Sequence, residues 1–185
     1  MSTPVLSRSL RVALAVVVAL AAVVGVLLFV QSRDKSQVDS SDSAAAAPGT
    51  VLPDQGADHR SPPAGFKYAT DPPASGPHRQ VPIARDRTAL TNDQLLTGLE
   101  LGDVALVYAG HEGQEQVLRG IQDDVSGPFD PALAGTGQMV LLDKRPGTKG
   151  VIALAWRHQL KVPSVNDPRL KAFADAWLGN GGPGN

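Results

Sequence analysis

Gln138-Met-Val-Leu-Leu-Asp-Lys-Arg-Pro-Gly-Thr-Lys-Gly-Val-Ile-Ala-Leu-Ala-Trp156 decides the fold class of this chain. It holds two short apolar runs, 138–142 and 151–156, divided by polar and turn-forming residues that include Pro146, Gly147 and Gly150. Apolar runs of that length bounded by Gly and Pro read as strands, so the stretch predicts two strands joined by a hairpin loop over 143–150. Upstream, Asp103-Val-Ala-Leu-Val-Tyr108 predicts a further, buried strand. Helical patterns surround these runs. Thr91-Asn92-Asp93-Gln94 is a capping box ahead of Leu95, Leu96 and Leu99, with Gly102 as the stop. Val117, Leu118, Ile121 and Val125 recur at helical spacing. Asp167-Pro168 opens a last helix with an N-cap and a Pro at its first position. Leu170, Phe173, Ala174, Trp177 and Leu178 form its apolar face, and Gly179 ends it. The order predicts an α+β domain: a small three- to four-stranded mixed sheet with packed helices.

Ahead of that domain the composition changes twice. Val12 to Val30 is an unbroken run of eight Val, five Ala, four Leu, Gly25 and Phe29. As a helix it is about 28 Å long, close to the roughly 30 Å hydrocarbon layer of a bilayer. It is longer than a signal-peptide core and lacks a small-residue cleavage pattern directly after it, so it predicts an uncleaved membrane anchor. Arg8 and Arg11 precede it without an acidic residue, whereas Arg33 and Lys35 are interleaved with Asp34. That asymmetry places residues 1–11 inside as a cytoplasmic tail and the C-terminal domain outside, at the cell membrane. Residues 31–58 are Ser, Asp, Ala, Gly and Pro with isolated Val and Leu, and read as a disordered, flexible linker. Residues 59–180 form the extracytoplasmic domain, and 181–185 a frayed tail.

Counted from His59 onward, 13 Lys or Arg balance 13 Asp or Glu. Such neutrality offers no basic stripe for nucleic acid, which is excluded as a partner. Cysteine is absent, which removes disulfides, thiolate ligands and a lipoprotein anchor. The chain has no Walker, dinucleotide-binding, zincin or nucleophile-elbow motif. His111-Glu112 begins no zincin pattern because position 115 is Glu, Asp123-Asp124 reads as a solvated helix end, and Trp156 and Trp177 read as core.

One cluster remains. Between His59 and Arg87, Pro occupies 62, 63, 72, 73, 77 and 82, which predicts an irregular, extended arm. Within it, Tyr68-Ala-Thr-Asp-Pro-Pro-Ala-Ser75-Gly-Pro-His78 carries a hydroxyl and an imidazole on a stiff, turn-rich frame. A Ser and a His so placed can bind an anion or bracket a metal. Equally, the stretch is a loop laid over the sheet with Ser75 making a local turn bond.

These residues resemble the bacterial domain-of-unknown-function family 3105, over about His59 to Pro183. The resemblance rests on His59, Tyr68, Pro72, Pro73, Ser75, Gly76 and His78, then Leu99, Glu100 and Gly102, then Ala155-Trp156, Phe173 and Gly182-Pro183. It implies a membrane-anchored extracytoplasmic domain. In the family pattern a helix ends His-x-Leu-Glu-His-Gly and the chain closes Gly-Pro-Glu. Thr97, Leu101 and Gly184 stand at those points here, so the chain reads as a degenerate member lacking the helix histidines. Converging histidines with a Glu suggest a divalent-metal or acid–base site. Here His59, His78 and Glu100 are the metal candidates that remain, and Tyr68, Ser75, His78 and Glu100 the candidate binding residues.

Two functions follow as expectations. The first is a non-catalytic binding or interaction module of the cell envelope, anchored through 12–30, its partner an envelope protein or a small ligand. The alternative is a metal-assisted hydrolase that uses His59, His78 and Glu100 with Ser75 as a hydrogen-bond donor.

Overall fold

Val104–Tyr108 (β2) is hydrogen-bonded to a strand on either side and is buried at all five positions because both faces of the sheet are covered. The computed structural model describes residues 47–183. Before β2 come Thr50–Val51 (β1) and Asn92–Leu101 (α1). After it follow Gln114–Val125 (α2), Pro131–Ala134 (α3), Val140–Lys144 (β3), Val151–Ala155 (β4), His158–Val162 (β5) and Arg169–Trp177 (α4). The sheet runs β1-β5-β4-β2-β3, with β2 and β3 parallel and the other neighbours antiparallel. The parallel pair requires a crossover, which the segment holding α2 and α3 supplies.

Alternation along the strands sorts the core into two layers. Ala105, Val107, Leu141, Ile152, Leu154 and Trp156 pack with Leu95, Leu96 and Leu99 of α1 and with Ala74, Ile83 and Leu90 of the arm. Val104, Leu106, Tyr108, Val140, Leu142, Ala153 and Ala155 pack on the other face with Leu118 of α2 and with Leu170, Phe173 and Ala174 of α4. Helices therefore cover both faces, and the Pro-rich arm shares one of them with α1.

The capping box forms as expected: Thr91 Oγ1 accepts from Gln94 N, and the Gln94 side chain accepts from Thr91 N. Gly102, at φ 121°, ends α1. The last helix starts one residue later than expected: Pro168 is its N-cap and has no side-chain cap bond, while Asp167 Oδ1, just outside, accepts from Arg169 N.

The strand count is five rather than three or four, and the 143–150 hairpin does not exist. β3 and β4 flank β2 instead of pairing with each other, so residues 145–150 cross the end of β2, where Arg145 N donates to the Tyr108 carbonyl. The true hairpin is β4–β5, turned by Trp156 and Arg157, the latter at φ 61°. Its second strand, which was not among the expected elements, carries the alternation Gln159-Leu160-Lys161-Val162 that could have marked it. β1 has two residues, too few for any period. The domain also begins before His59. Thr50 and Val51 pair with Gln159 and His158, and Trp177 Nε1 donates to the Pro48 carbonyl. The last part of the stretch read as linker is thus structural. The C-terminal end read as frayed is held through Gly182, whose N–H donates to the Glu100 carbonyl at 2.7 Å. Among the described residues no helix is long and apolar enough to cross a membrane, and Val12–Val30 lies outside them.

Candidate functional site

Pro72 to His78 is buried throughout, which an arm rich in Pro achieves only by finding partners for its remaining backbone groups. Gly76 N donates to the Gly56 carbonyl, His78 N to the Asp58 carbonyl, and Arg157 N to the Ala74 carbonyl. Ser75 Oγ accepts from Gln55 N and donates to the Pro53 carbonyl. Tyr68 OH donates to the Pro77 carbonyl at 2.8 Å, and burial followed by the negative charge of Asp93 raises its phenol above the ordinary value, which keeps it a donor. The Tyr68 ring lies against Gly76, where a Cβ would come within 3.0 Å of it and where φ is 127°. Of the four candidate binding residues, Tyr68 and Ser75 thus hold the loop together, and His78 and Glu100 meet.

His78 has a fully buried side chain, and its Nδ1 lies 2.9 Å from the Gly76 carbonyl. A carbonyl only accepts, so Nδ1 carries the proton and, in the neutral ring, Nε2 presents a lone pair. That Nε2 lies 3.2 Å from Glu100 Oε2 yet has no hydrogen-bond partner. From the other side, His59 Nε2 lies 3.0 and 2.9 Å from the two Glu100 oxygens. The His59 and His78 rings stand edge to face, 5.6 Å between centroids. One ligand atom from each of His59, His78 and Glu100 falls within 4.8 Å of the others.

Local structure explains the convergence. Glu100 sits in the last turn of α1, which the capping box and Gly102 hold in register against the arm. Thr97, one turn earlier, accepts from Val81 N and donates towards the Asp93 and Arg79 carbonyls. It thereby ties the segment after His78 to the helix. Gly182 closes the third side: a Cβ there would come within 3.0 Å of both Glu100 Cγ and the Trp156 ring.

Three neighbours were not among the candidate site residues, Trp156 having been read as core, which its burial bears out. Trp156 is buried with its ring centroid 6.2 Å from that of His78, and its Nε1 has no hydrogen-bond partner. Gln80 Nε2 lies 3.4 Å from His59 Nε2. Asp103, which follows α1, is fully buried with Oδ1 accepting from Met139 N and Oδ2 unpartnered; burial pushes its carboxyl up to about 8. Gln80 and Asp103 carried no spacing signal that could have marked them for the site, whereas Trp156 lay in the Ala155-Trp156 pair of the family resemblance.

Chemically, two borderline imidazole nitrogens and a hard carboxylate oxygen make a donor set of the kind zinc and similar divalent ions use. The Nδ1–H bond of His78 to a backbone carbonyl is the outer-shell contact that fixes a ligating histidine in its useful tautomer. In the neutral ring a lone pair facing a carboxylate oxygen is repulsive, and either a proton on Nε2 or a cation held by both atoms removes the repulsion.

The fold and site together define an α+β domain with a partly buried His–His–Glu cluster on the arm-covered face of its sheet. The family described as "Protein of unknown function (DUF3105)" matches residues 59–184, and the chain belongs to that family. Neither the curated proteins nor the solved structures yield a match.

Proposed function

We propose that the domain is a divalent-cation-binding module displayed outside the cell membrane by the apolar segment 12–30. The observation that carries the cation reading is His78: fully buried, its Nδ1 committed to the Gly76 carbonyl, its Nε2 in no hydrogen bond but within ion-pair distance, 3.2 Å, of Glu100 Oε2. His59 supplies the third ligand from a half-exposed position, which leaves an approach from solvent. Three protein ligands leave a fourth position for water or an exogenous ligand. The hydrolase alternative loses its intended donor, because the Ser75 hydroxyl is occupied by Pro53 and Gln55.

Elemental analysis and zinc titration of the purified full-length chain test the cation reading. The expected result is one zinc per chain, with affinity lowered at least about 100-fold by His78→Ala or by Glu100→Gln. His59→Ala, at a half-exposed ring, should do the same without touching the core. Zinc absent from the wild type, or bound equally by all three variants, would overturn the reading.

The location rests on the sequence of the span and its flanks, and the lack of cysteine makes it easy to test. In intact cells a membrane-impermeant maleimide is expected to label Ser43→Cys and not Ser2→Cys. The reverse pattern would invert the proposed topology.

A further inference from the structure

Glu100 takes part in two features at once. Its carboxylate belongs to the cation cluster, and its side chain also lines a cavity of about 270 Å³ between α1, the arm and α3. Pro82, Ile83, Leu101, Ala134 and Gly135 make most of that wall apolar. Gln80 lines it too, and its amide nitrogen lies 3.4 Å from His59 Nε2, so N–H donors stand where the cavity meets the cluster. We infer that this cavity is the ligand subsite of the cation centre and takes a monocarboxylate with a short aliphatic body. The inference rests on the cation reading above.

The chemistry of the two ends sets the ligand class. A divalent ion held by two neutral imidazoles and one carboxylate keeps a net positive charge. Its open position therefore favours an anionic oxygen, and the Gln80 amide can donate to the second oxygen of a carboxylate. The apolar wall beyond favours a hydrocarbon body, since each buried methylene contributes about 0.8 kcal/mol. Size limits that body. At about 30 Å³ of liquid volume per water, the cavity holds roughly nine waters, so the ligand has on the order of nine non-hydrogen atoms. A free short-chain fatty acid and an apolar C-terminal residue of a peptide share this chemistry.

Calorimetric titration of the full-length chain, with and without zinc, tests the assignment using hexanoate and N-acetyl-leucine as probes for the two sources. The zinc-loaded chain is expected to bind at least one of them ten or more times tighter than the zinc-free chain, and the tighter probe names the source. Gly135→Leu should weaken that binding at least tenfold and leave zinc affinity unchanged. Gly135 has ordinary negative φ and a Cβ there meets only carbonyl oxygens at 3.4 Å, so the variant should fold. Zinc bound without any gain in probe affinity, or a gain that persists in Gly135→Leu, would overturn the subsite and leave the cation reading intact. Failure to bind zinc would overturn the cation reading itself. Hexylamine binding as tightly as hexanoate would overturn the carboxylate assignment, Glu100 then taking the headgroup directly.

Discussion

Gly137→Ala is expected to destabilise the domain by more than about 4 kcal/mol, which a domain of this size does not easily withstand. Gly137 precedes β3 at φ 71°, and a Cβ at that position would fall on the carbonyl group of Leu101, with Gly102 N 2.8 Å away. These neighbours are backbone atoms of the turn that ends α1. A side chain would yield by changing rotamer, whereas this turn moves only if the helix end moves with it. Glu100 lies one residue earlier, so the same displacement would pull the carboxylate away from His59 and His78. Gly147→Ala is the control. Its φ is 90° but nothing lies within 4 Å of the added carbon, so it incurs the left-handed backbone strain alone, about 1–2 kcal/mol. Chemical denaturation of both variants separates the two costs. Unfolding free energies of Gly137→Ala and Gly147→Ala that agree to within about 1 kcal/mol would show that the packing of α1 against the β3 lead-in is looser than described.

The second large effect is a pH dependence located at Asp103. Burial lifts its carboxyl from an ordinary 3.8 to about 8, with the Met139 N–H bond opposing the rise. A folded-state value above the unfolded one means that folding takes up a proton between about pH 4 and pH 8. The stabilising contribution of the protonated acid is complete below pH 4 and is lost as pH rises through that window, by up to about 1.4 kcal/mol per pH unit. Asp103→Asn keeps an oxygen to accept from Met139 N and removes the titration. The expected result is a wild-type unfolding midpoint that falls between pH 5 and pH 8 relative to the Asn variant. All other groups are shared, so the difference between the two curves isolates Asp103. Parallel curves would mean that the acid is solvated or paired in the folded state.

The helices were the most legible elements. The box at Thr91–Gln94, the stop at Gly102 and the apolar face of Leu170, Phe173 and Ala174 are local devices, set by side chains a few residues apart. The strands read at 103–108, 138–142 and 151–156 were legible as apolar runs, but the second lies at Val140–Lys144, two residues later, because Asp143 and Lys144, read as loop, pair with β2. Their pairing was not legible. Whether 140–144 meets 151–155 or both flank 104–108 depends on which long-range arrangement buries more surface, and the loop at 143–150 is compatible with either. The short strand Thr50–Val51 gains its structure from the edge it completes, which no residue near it encodes.

The site divides in the same way. His59, His78 and Glu100 were identifiable as residue types at suggestive positions, and Thr97 and Leu101 as departures. That Ser75 and Tyr68 serve the loop, while His78 reaches Glu100, is a matter of side-chain direction within a buried arm. By itself the sequence determined an apolar segment of membrane-spanning length, a neutral cysteine-free domain and three of the four described helices, since each follows from composition or from contacts between near neighbours, and its motif residues carried the family resemblance; the four-residue helix Pro131–Ala134 was too short to show a period. Only the tertiary structure decided that imidazoles separated by 19 residues and a carboxylate more than twenty residues further on share one cluster. It also decided that a cavity adjoins them, and that Asp103, directly after the helix that carries Glu100, is buried with one carboxylate oxygen in no hydrogen bond. Those are consequences of segments distant in sequence packing on one face of a sheet, where burial rather than local preference chooses the neighbours.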